Sequence, residues 1–145
     1  MFPIDHLPLT HSWPLYDAAR HLPLEAQAGP VAMDIGLWHC DLATERLSWS
    51  AAVYGLFGLP PGEPVERPLA VSLYAGPSRV AMEALRAHAI RHRRGFTLDA
   101  RIRRPDGEHR WMRLTAMPIL AGRKVVHLCG TKQDVTAEYD GPGPS

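Results

Sequence analysis

Two cysteines in 145 residues are too few for a disulfide framework. A chain of this length can bury enough apolar surface without one, so Cys40 and Cys129 read as buried thiols. An excess of charge is missing too: 16 Lys and Arg stand against 15 Asp and Glu, for a net charge of +1. The whole-molecule field that would draw the chain onto nucleic acid or an acidic membrane is therefore absent, and either partner would need a local patch. The longest apolar stretches, around residues 51–59 and 125–129, fall far below the roughly 18 to 20 residues that span a bilayer, so no membrane insertion is expected. The first residues carry no basic region and are broken by Pro3, Pro8 and Pro14, which argues against a secretory signal and for a cytoplasmic protein. Lysine is scarce, at positions 124 and 132 alone; with fourteen Arg and abundant Ala, Gly and Pro this is the composition of a GC-rich bacterial genome.

What is present is the balance of one globular domain: 46% hydrophobic and 21% charged residues, with 12 Gly and 14 Pro marking many loops. Residues 1–33 hold prolines 3, 8, 14, 23 and 30, a density that permits only short helical pieces. One piece is predicted there: Ser12 can cap a turn beginning near Pro14, and Leu15, Ala18, Ala19 and Leu22 recur at helical spacing until Pro23. So short a helix is marginal in water and should lie as an N-terminal cap on a surface supplied by the domain or by a second copy. From Ile35 the pattern turns strand-like. Residues 35–41 and 46–50 read as a hairpin around Ala43, Thr44 and Glu45, followed by a helix over 51–57 in which Val53, Leu56 and Phe57 share a face before Gly58 and Pro60. Residues 60–68 read as a Pro-rich connector. The strongest helix begins at Pro77 and runs to Arg94, with Gly95 as its stop. Residues 96–103 then alternate, Phe96, Leu98, Ala100 and Ile102 against polar neighbours. Two further strands, 108–117 and 124–131, follow turns at Pro105-Asp106-Gly107 and Ala121-Gly122-Arg123. The expected class is α+β: a five-stranded antiparallel sheet with its helices on one face. The chain divides into a Pro-rich helical extension (1–33), the domain (34–137) and a flexible tail (138–145).

Several separated motifs match a known family. Gly36, Trp38, Asp41 and Leu42 fit Gly-x-Trp-x-x-Asp-Leu; Thr44, Leu47, Trp49 and Ser50 continue it, and Leu56-Phe57-Gly58 follows. Downstream stand residues 96–103, Pro105-Asp106-Gly107, Arg110-Trp111 and finally Asp134-Val135-Thr136. In this order these residues resemble the PAS family of sensory domains, over residues 34–137. The chain departs from that pattern where Ala75-Gly76-Pro77-Ser78 replaces His-Pro-Asp-Asp, leaving the long helix with less compensation of its dipole. Family members commonly continue from the last motif into a helical linker and an effector, whereas residues 137–145 end the sequence here. The resemblance thus implies either a stand-alone module that signals by contact or a piece of a longer sensor.

On that fold a cavity lies between sheet and helices, and the candidate ligand-binding residues are Trp49, Tyr54, Phe57, Leu85, His88, Met112 and Leu128. Signalling or structural roles fall to Trp38, Asp41, Trp111, Asp134 and Thr136, with Trp38, Trp49 and Trp111 also fitting core packing and Asp134 and Thr136 capping bonds. His88 stands where haem-binding relatives place a proximal ligand, with His92 one turn on; two ordinary helix histidines are the plainer reading. Flavin photochemistry needs a cysteine in an Asn-Cys-Arg-Phe-Leu-like helix, a setting neither cysteine has. Cys40 and Cys129 on neighbouring strands could form a redox pair, and His39, Asp41 and His127 could hold a metal, but no supporting cluster strengthens the latter. Ten arginines against four acids between Arg79 and Arg113 give +6, yet Arg101, Arg103, Arg110 and Arg113 alternate with acids and lack a stacking platform, so a solvated face or an acidic protein partner is expected and nucleic acid is not. No motif of catalysis is present. The expectation is a non-enzymatic sensory module that modulates protein–protein contacts, with a small ligand as candidate input, other signalling proteins as partners, and homodimerisation through the N-terminal segment and sheet face. The alternatives are a haem- or other cofactor-binding input domain of a longer histidine kinase or diguanylate cyclase, and a small α+β cone enzyme.

Overall fold

The computed structural model describes residues 9–22 and 35–140. The remainder of the N-terminal extension and residues 141–145 of the expected tail lie outside the described residues. Six strands form one antiparallel sheet: β1 (Thr10–Pro14), β2 (Ile35–Asp41), β3 (Leu47–Trp49), β4 (Arg94–Arg103), β5 (His109–Ala121) and β6 (Lys124–Asp134), in the order β1-β4-β5-β6-β2-β3. Helices α2 (Ala51–Phe57), α3 (Arg67–Ser72) and α4 (Gly76–His92) pack against one face. The short helices α1 (Ala18–His21) and α5 (Thr136–Asp140) lie over the other. Alternation decides which side chains each face receives. Trp38, Cys40, Phe96, Leu98, Ala100, Ile102, Met112, Leu114 and Leu128 enter the helix-covered core.

The sixth strand is the departure from the five expected. Residues 10–14 pair with β4 in the register Thr10↔Leu98 to Pro14↔Arg94, so Ser12, expected to cap a helix, lies in a strand, and the expected helical piece follows as short turns over Leu15–Asp17 and Ala18–His21. What favours the strand is Trp13, fully buried against Gly95, with its indole N–H donating to Thr97 Oγ1 at 3.1 Å and its ring stacked on His21 at 4.4 Å. A side chain at position 95 would collide with that ring. Gly95 therefore serves this close approach, and the stop of α4 falls to Arg93, which takes the left-handed conformation at φ 55°. The Pro-rich connector holds a helix the sequence did not announce: α3 carries Pro68 in its first turn and buries Ala70.

The tail expected from residue 138 begins instead as part of α5. Thr136 Oγ1 accepts from the Trp111 N–H and Asp134 Oδ1 from the Thr136 N–H, both at 2.9 Å, so the chain leaves β6 in a fixed direction.

Candidate functional site

Between the sheet and helices α3 and α4 lies a cavity of about 60 Å³, lined by residues of β2, β3, β4, β5, β6 and both helices. Trp38 forms part of its wall. Trp38 sits directly opposite Gly130 in the β2–β6 ladder, and the missing side chain there lets the indole lie flat enough for its N–H to reach the carbonyls of Thr115 and Thr131, each at 3.3 Å. An added Cβ at 130 would run into the Thr115 carbonyl.

Two residues along β6, on the same face, stands Lys132. It is 6% exposed and lines the cavity, and no described residue gives its ammonium a hydrogen bond or a carboxylate. Aromatic rings surround it instead: Nζ is 4.9 Å from the Phe57 centroid, 5.2 Å from Trp49, 5.5 Å from Trp38 and 5.9 Å from Tyr74. Trp49 and Phe57 stack at 4.8 Å, so α2 and β3 deliver the two rings as one wall. Burial pushes the Lys132 pKa down to about 7, partly opposed by the neighbouring Cys40. The ring quadrupoles also favour its charged form.

Cys40 and the arginines complete the polar lining. Burial raises the Cys40 thiol, while Arg86, hydrogen-bonded to it, and Arg67 act in the opposite direction. Arg67, which lines the cavity, pairs with Glu83. The Tyr74 hydroxyl, wholly buried, is raised well above its ordinary value by desolvation and by Glu83.

Of the candidate ligand residues, Leu128 lines this cavity, and Trp49 and Phe57 cage the ammonium at its edge. Trp38, assigned a structural role, lines it as well. Tyr54 belongs to a separate small cluster with Val65 and Ala70 and donates its hydroxyl proton to the Glu63 carbonyl at 2.6 Å. Met112 is fully buried elsewhere in the core, and Leu85 packs at its margin; neither reaches the lining. His88 is exposed, its ring tilted against that of His92 at 4.5 Å between centroids, because α4 turns its Met82 and Ala89 side inward. Lys132, Cys40, Arg67, Tyr74, Met82 and Arg86 were not named as candidates. Their one signal was position: Lys132 keeps the inward phase of Leu128 and Gly130.

The redox pairing of Cys40 with Cys129 is overturned by register. Cys129 faces His39 and Cys40 faces Leu128, so the two thiols point to opposite faces. His39 and His127 approach to 4.6 Å between ring centroids, yet among the described residues no three His, Cys, Asp or Glu side chains gather as a metal site. Asp41 accepts from the Ala43 N–H at 2.9 Å and so shapes the hairpin turn.

The outer face holds a second polar centre. Asp99, fully buried, receives both Arg113 nitrogens at 2.7 and 2.8 Å and the Tyr139 hydroxyl. The Tyr139 hydroxyl accepts from the Leu9 N–H at 3.3 Å, the Asp99 N–H donates to the Leu9 carbonyl at 2.8 Å, and Tyr139 stacks on Trp111 at 4.3 Å. One carboxylate thus ties the N-terminal segment to the exit helix α5. Arg110 similarly bridges Glu108 and Asp134. Burial would raise Asp134, but bonds from Thr136 and Arg110 outweigh it and hold the carboxyl below its usual range. The expected arginine stripe is therefore largely spent inside the molecule, with Arg101 lying over Trp111 at 5.4 Å.

A family profile described as PAS fold matches residues 46–131, more than half the chain. The chain belongs to the PAS-fold family. Solved PAS domains share its architecture. The N-terminal domain of a diguanylate cyclase with PAS/PAC sensor from Marinobacter aquaeolei superposes with a TM-score of 0.67 at 16% identity, covering 72% of this chain and 98% of that one. A sensory box histidine kinase/response regulator from Burkholderia thailandensis gives 0.65 at 19%, covering 74% and 82%. A PAS domain from Colwellia psychrerythraea gives 0.60 at 19%, covering 72% and 92%. At these identities the likeness establishes the fold alone. Among curated proteins, none matches.

Proposed function

We propose that this PAS domain is a non-enzymatic, cytoplasmic sensory module in which a small ligand in the cavity biases contacts with other signalling proteins. One observation carries the reading: a pocket between sheet and helices lined by a nine-tenths buried lysine that has no hydrogen-bond partner among the described residues. A core selected for stability alone would fill the void and exclude the charge, since both forfeit free energy. The route outward is short. Lys132 stands two residues before Asp134, which fixes α5 through Thr136, and pairs with Leu114, next to the Arg113 that holds Asp99. A ligand can shift this arrangement only by its differential affinity for two states.

Homodimerisation through the N-terminal segment and sheet face is supported by Tyr16, 87% exposed beside β1, and Leu37, 50% exposed on the outer side of β2. Tyr16→Ala with Leu37→Asp should convert a dimer to a monomer in light scattering; an unchanged mass removes that interface. A second reading, the input domain of a longer sensor, is favoured by α5 leaving the core at Thr136 and by neighbours whose names are those of a cyclase and a kinase. Haem finds no support, with His88 exposed and the space far too small for a tetrapyrrole. The cone-enzyme alternative asks for converging titratable groups, and Lys132, Cys40 and Arg86 do converge; among the described residues no Asp, Glu or His lines the cavity to share proton transfer with them, and binding is the simpler use.

Native mass spectrometry of protein purified from its own host tests the proposal. A bound small molecule whose removal changes hydrogen exchange in α5 is the expected result. A ligand-free protein unresponsive to a compound library, or turnover of a bound compound, would overturn it.

A further inference from the structure

We propose that the cavity takes a small organic carboxylate, its charge received by Lys132 Nζ and the Arg86 guanidinium and its short carbon body lying against Met82, Leu114 and Leu128. This rests on reading the cavity as a ligand pocket and adds the chemistry of the occupant.

The argument starts from unanswered charge. Three basic side chains line the space, and the carboxylate of Glu83 answers Arg67. Arg86, half-buried, makes no ion pair among the described residues, and its polar neighbour is the Cys40 thiol, which burial pushes up. Among the described residues, Lys132 has ring faces around it but no acceptor for its three N–H donors. Ring quadrupoles supply negative potential without accepting a conventional hydrogen bond, so the ammonium remains a buried donor set awaiting an oxygen. A carboxylate provides two acceptor oxygens and the missing negative charge at once.

Size and lining narrow the class. At roughly 15 Å³ for each water-sized occupant, a space of about 60 Å³ holds a solute of a few heavy atoms and excludes nucleotides, flavins and tetrapyrroles. Apolar side chains make up most of the wall, which suits a carbon body better than the four polar oxygens of a phosphate.

The titratable and charged groups that line the cavity with Lys132 are Cys40 from β2, Tyr74 ahead of α4, Arg67 from α3 and Arg86 from α4, while Glu83 pairs with Arg67. Burial pushes the Cys40 thiol and the Tyr74 hydroxyl up, away from the range in which Lys132 changes charge. Lys132 is then the lining group whose charge changes in that range, and a carboxylate must bring a proton with it above pH 7.

Calorimetric titration of the intact chain with propionate and butyrate tests this, with propionamide, butyramide and inorganic phosphate as comparisons. The carboxylates should bind saturably and at least about tenfold more tightly than their amides and than phosphate. Their affinity should fall by up to about tenfold per pH unit from pH 7 to 9. Lys132→Met should remove the preference, and Arg86→Gln should weaken it. Amides that bind as well as the acids would overturn the carboxylate assignment while leaving a ligand pocket, as would phosphate binding as tightly. No binding by either acid, in protein that releases some other ligand when purified from its host, would do the same. Empty protein that binds none of these overturns both. The acid–amide and pH comparisons need no variant, so a poorly folding Lys132→Met leaves the result decisive.

Discussion

Lys132 makes a quantitative demand on stability. Its pKa falls from an ordinary 10.5 to about 7 because folding removes the ammonium from water. At about 1.36 kcal/mol per pH unit, that difference corresponds to about 5 kcal/mol of folding free energy forfeited when the amine is protonated in both states. The four ring faces return on the order of 2 kcal/mol, leaving about 3 to 5. The sign follows from proton counting: between pH 7 and 10.5 the unfolded chain holds the Lys132 proton more often than the native one, so this residue makes stability rise with pH across that window. Lys132→Met removes the titration and restores apolar contact with the rings. Urea unfolding of both proteins at pH 6, 7, 8 and 9 should show the variant more stable at pH 6 by about 3 to 5 kcal/mol, with the gap closing by up to about 2.7 kcal/mol between pH 7 and 9. Any packing difference between Met and Lys is independent of pH, and the raised thiols and tyrosines occur in both proteins, so the closing gap is the diagnostic quantity. A gap constant across this range, or a wild type more stable than the variant at pH 6, would refute the buried, unpartnered ammonium.

Gly130→Ala should destabilise by about 1 to 3 kcal/mol, read as a shift in urea midpoint, because the new methyl meets the Thr115 carbonyl and displaces Trp38. Asp99→Asn should cost about 3 to 5 kcal/mol by leaving Arg113 without its buried partner, and should raise hydrogen exchange in both β1 and α5; exchange confined to one of them would break the proposed link. Tyr139→Phe, which removes only the hydroxyl, should cost about 1 kcal/mol and loosen the same two segments. Trp13→Ala should cost about 3 to 5 kcal/mol and detach the N-terminal strand, seen as loss of exchange protection at the Thr97 and Asp99 amides, which face β1.

Much of the fold was legible because its signals are local. Alternation from Phe96 to Ile102, the turn at Pro105-Asp106-Gly107 and the breaker-free run after Pro77 each fix an element within a few residues. The misread parts are those whose conformation is decided from a distance. Residues 10–14 have helical neighbours in sequence, yet the open edge of β4 and the bare Gly95 offer Trp13 more burial as a strand. His88 carried the motif of a ligand and faces solvent, because the phase of α4 is set by Met82 and Ala89 against the sheet. Apolar periodicity marks core positions but not the basic side chains, Lys132, Arg67 and Arg86, that distinguish the cavity.

The chain alone determined its class, its antiparallel strands and the family motifs, since periodicity, turn residues and proline positions act over a handful of neighbours. It also placed Trp38 and Trp49 on strands and Phe57 at the end of a helix. Only the tertiary structure decided that these three rings, with Tyr74, converge on Lys132, and that Asp99 joins the two ends of the described chain. Such meetings depend on strand order and register, where residues 94 positions apart become neighbours and a shift of one residue would turn the lysine out to water.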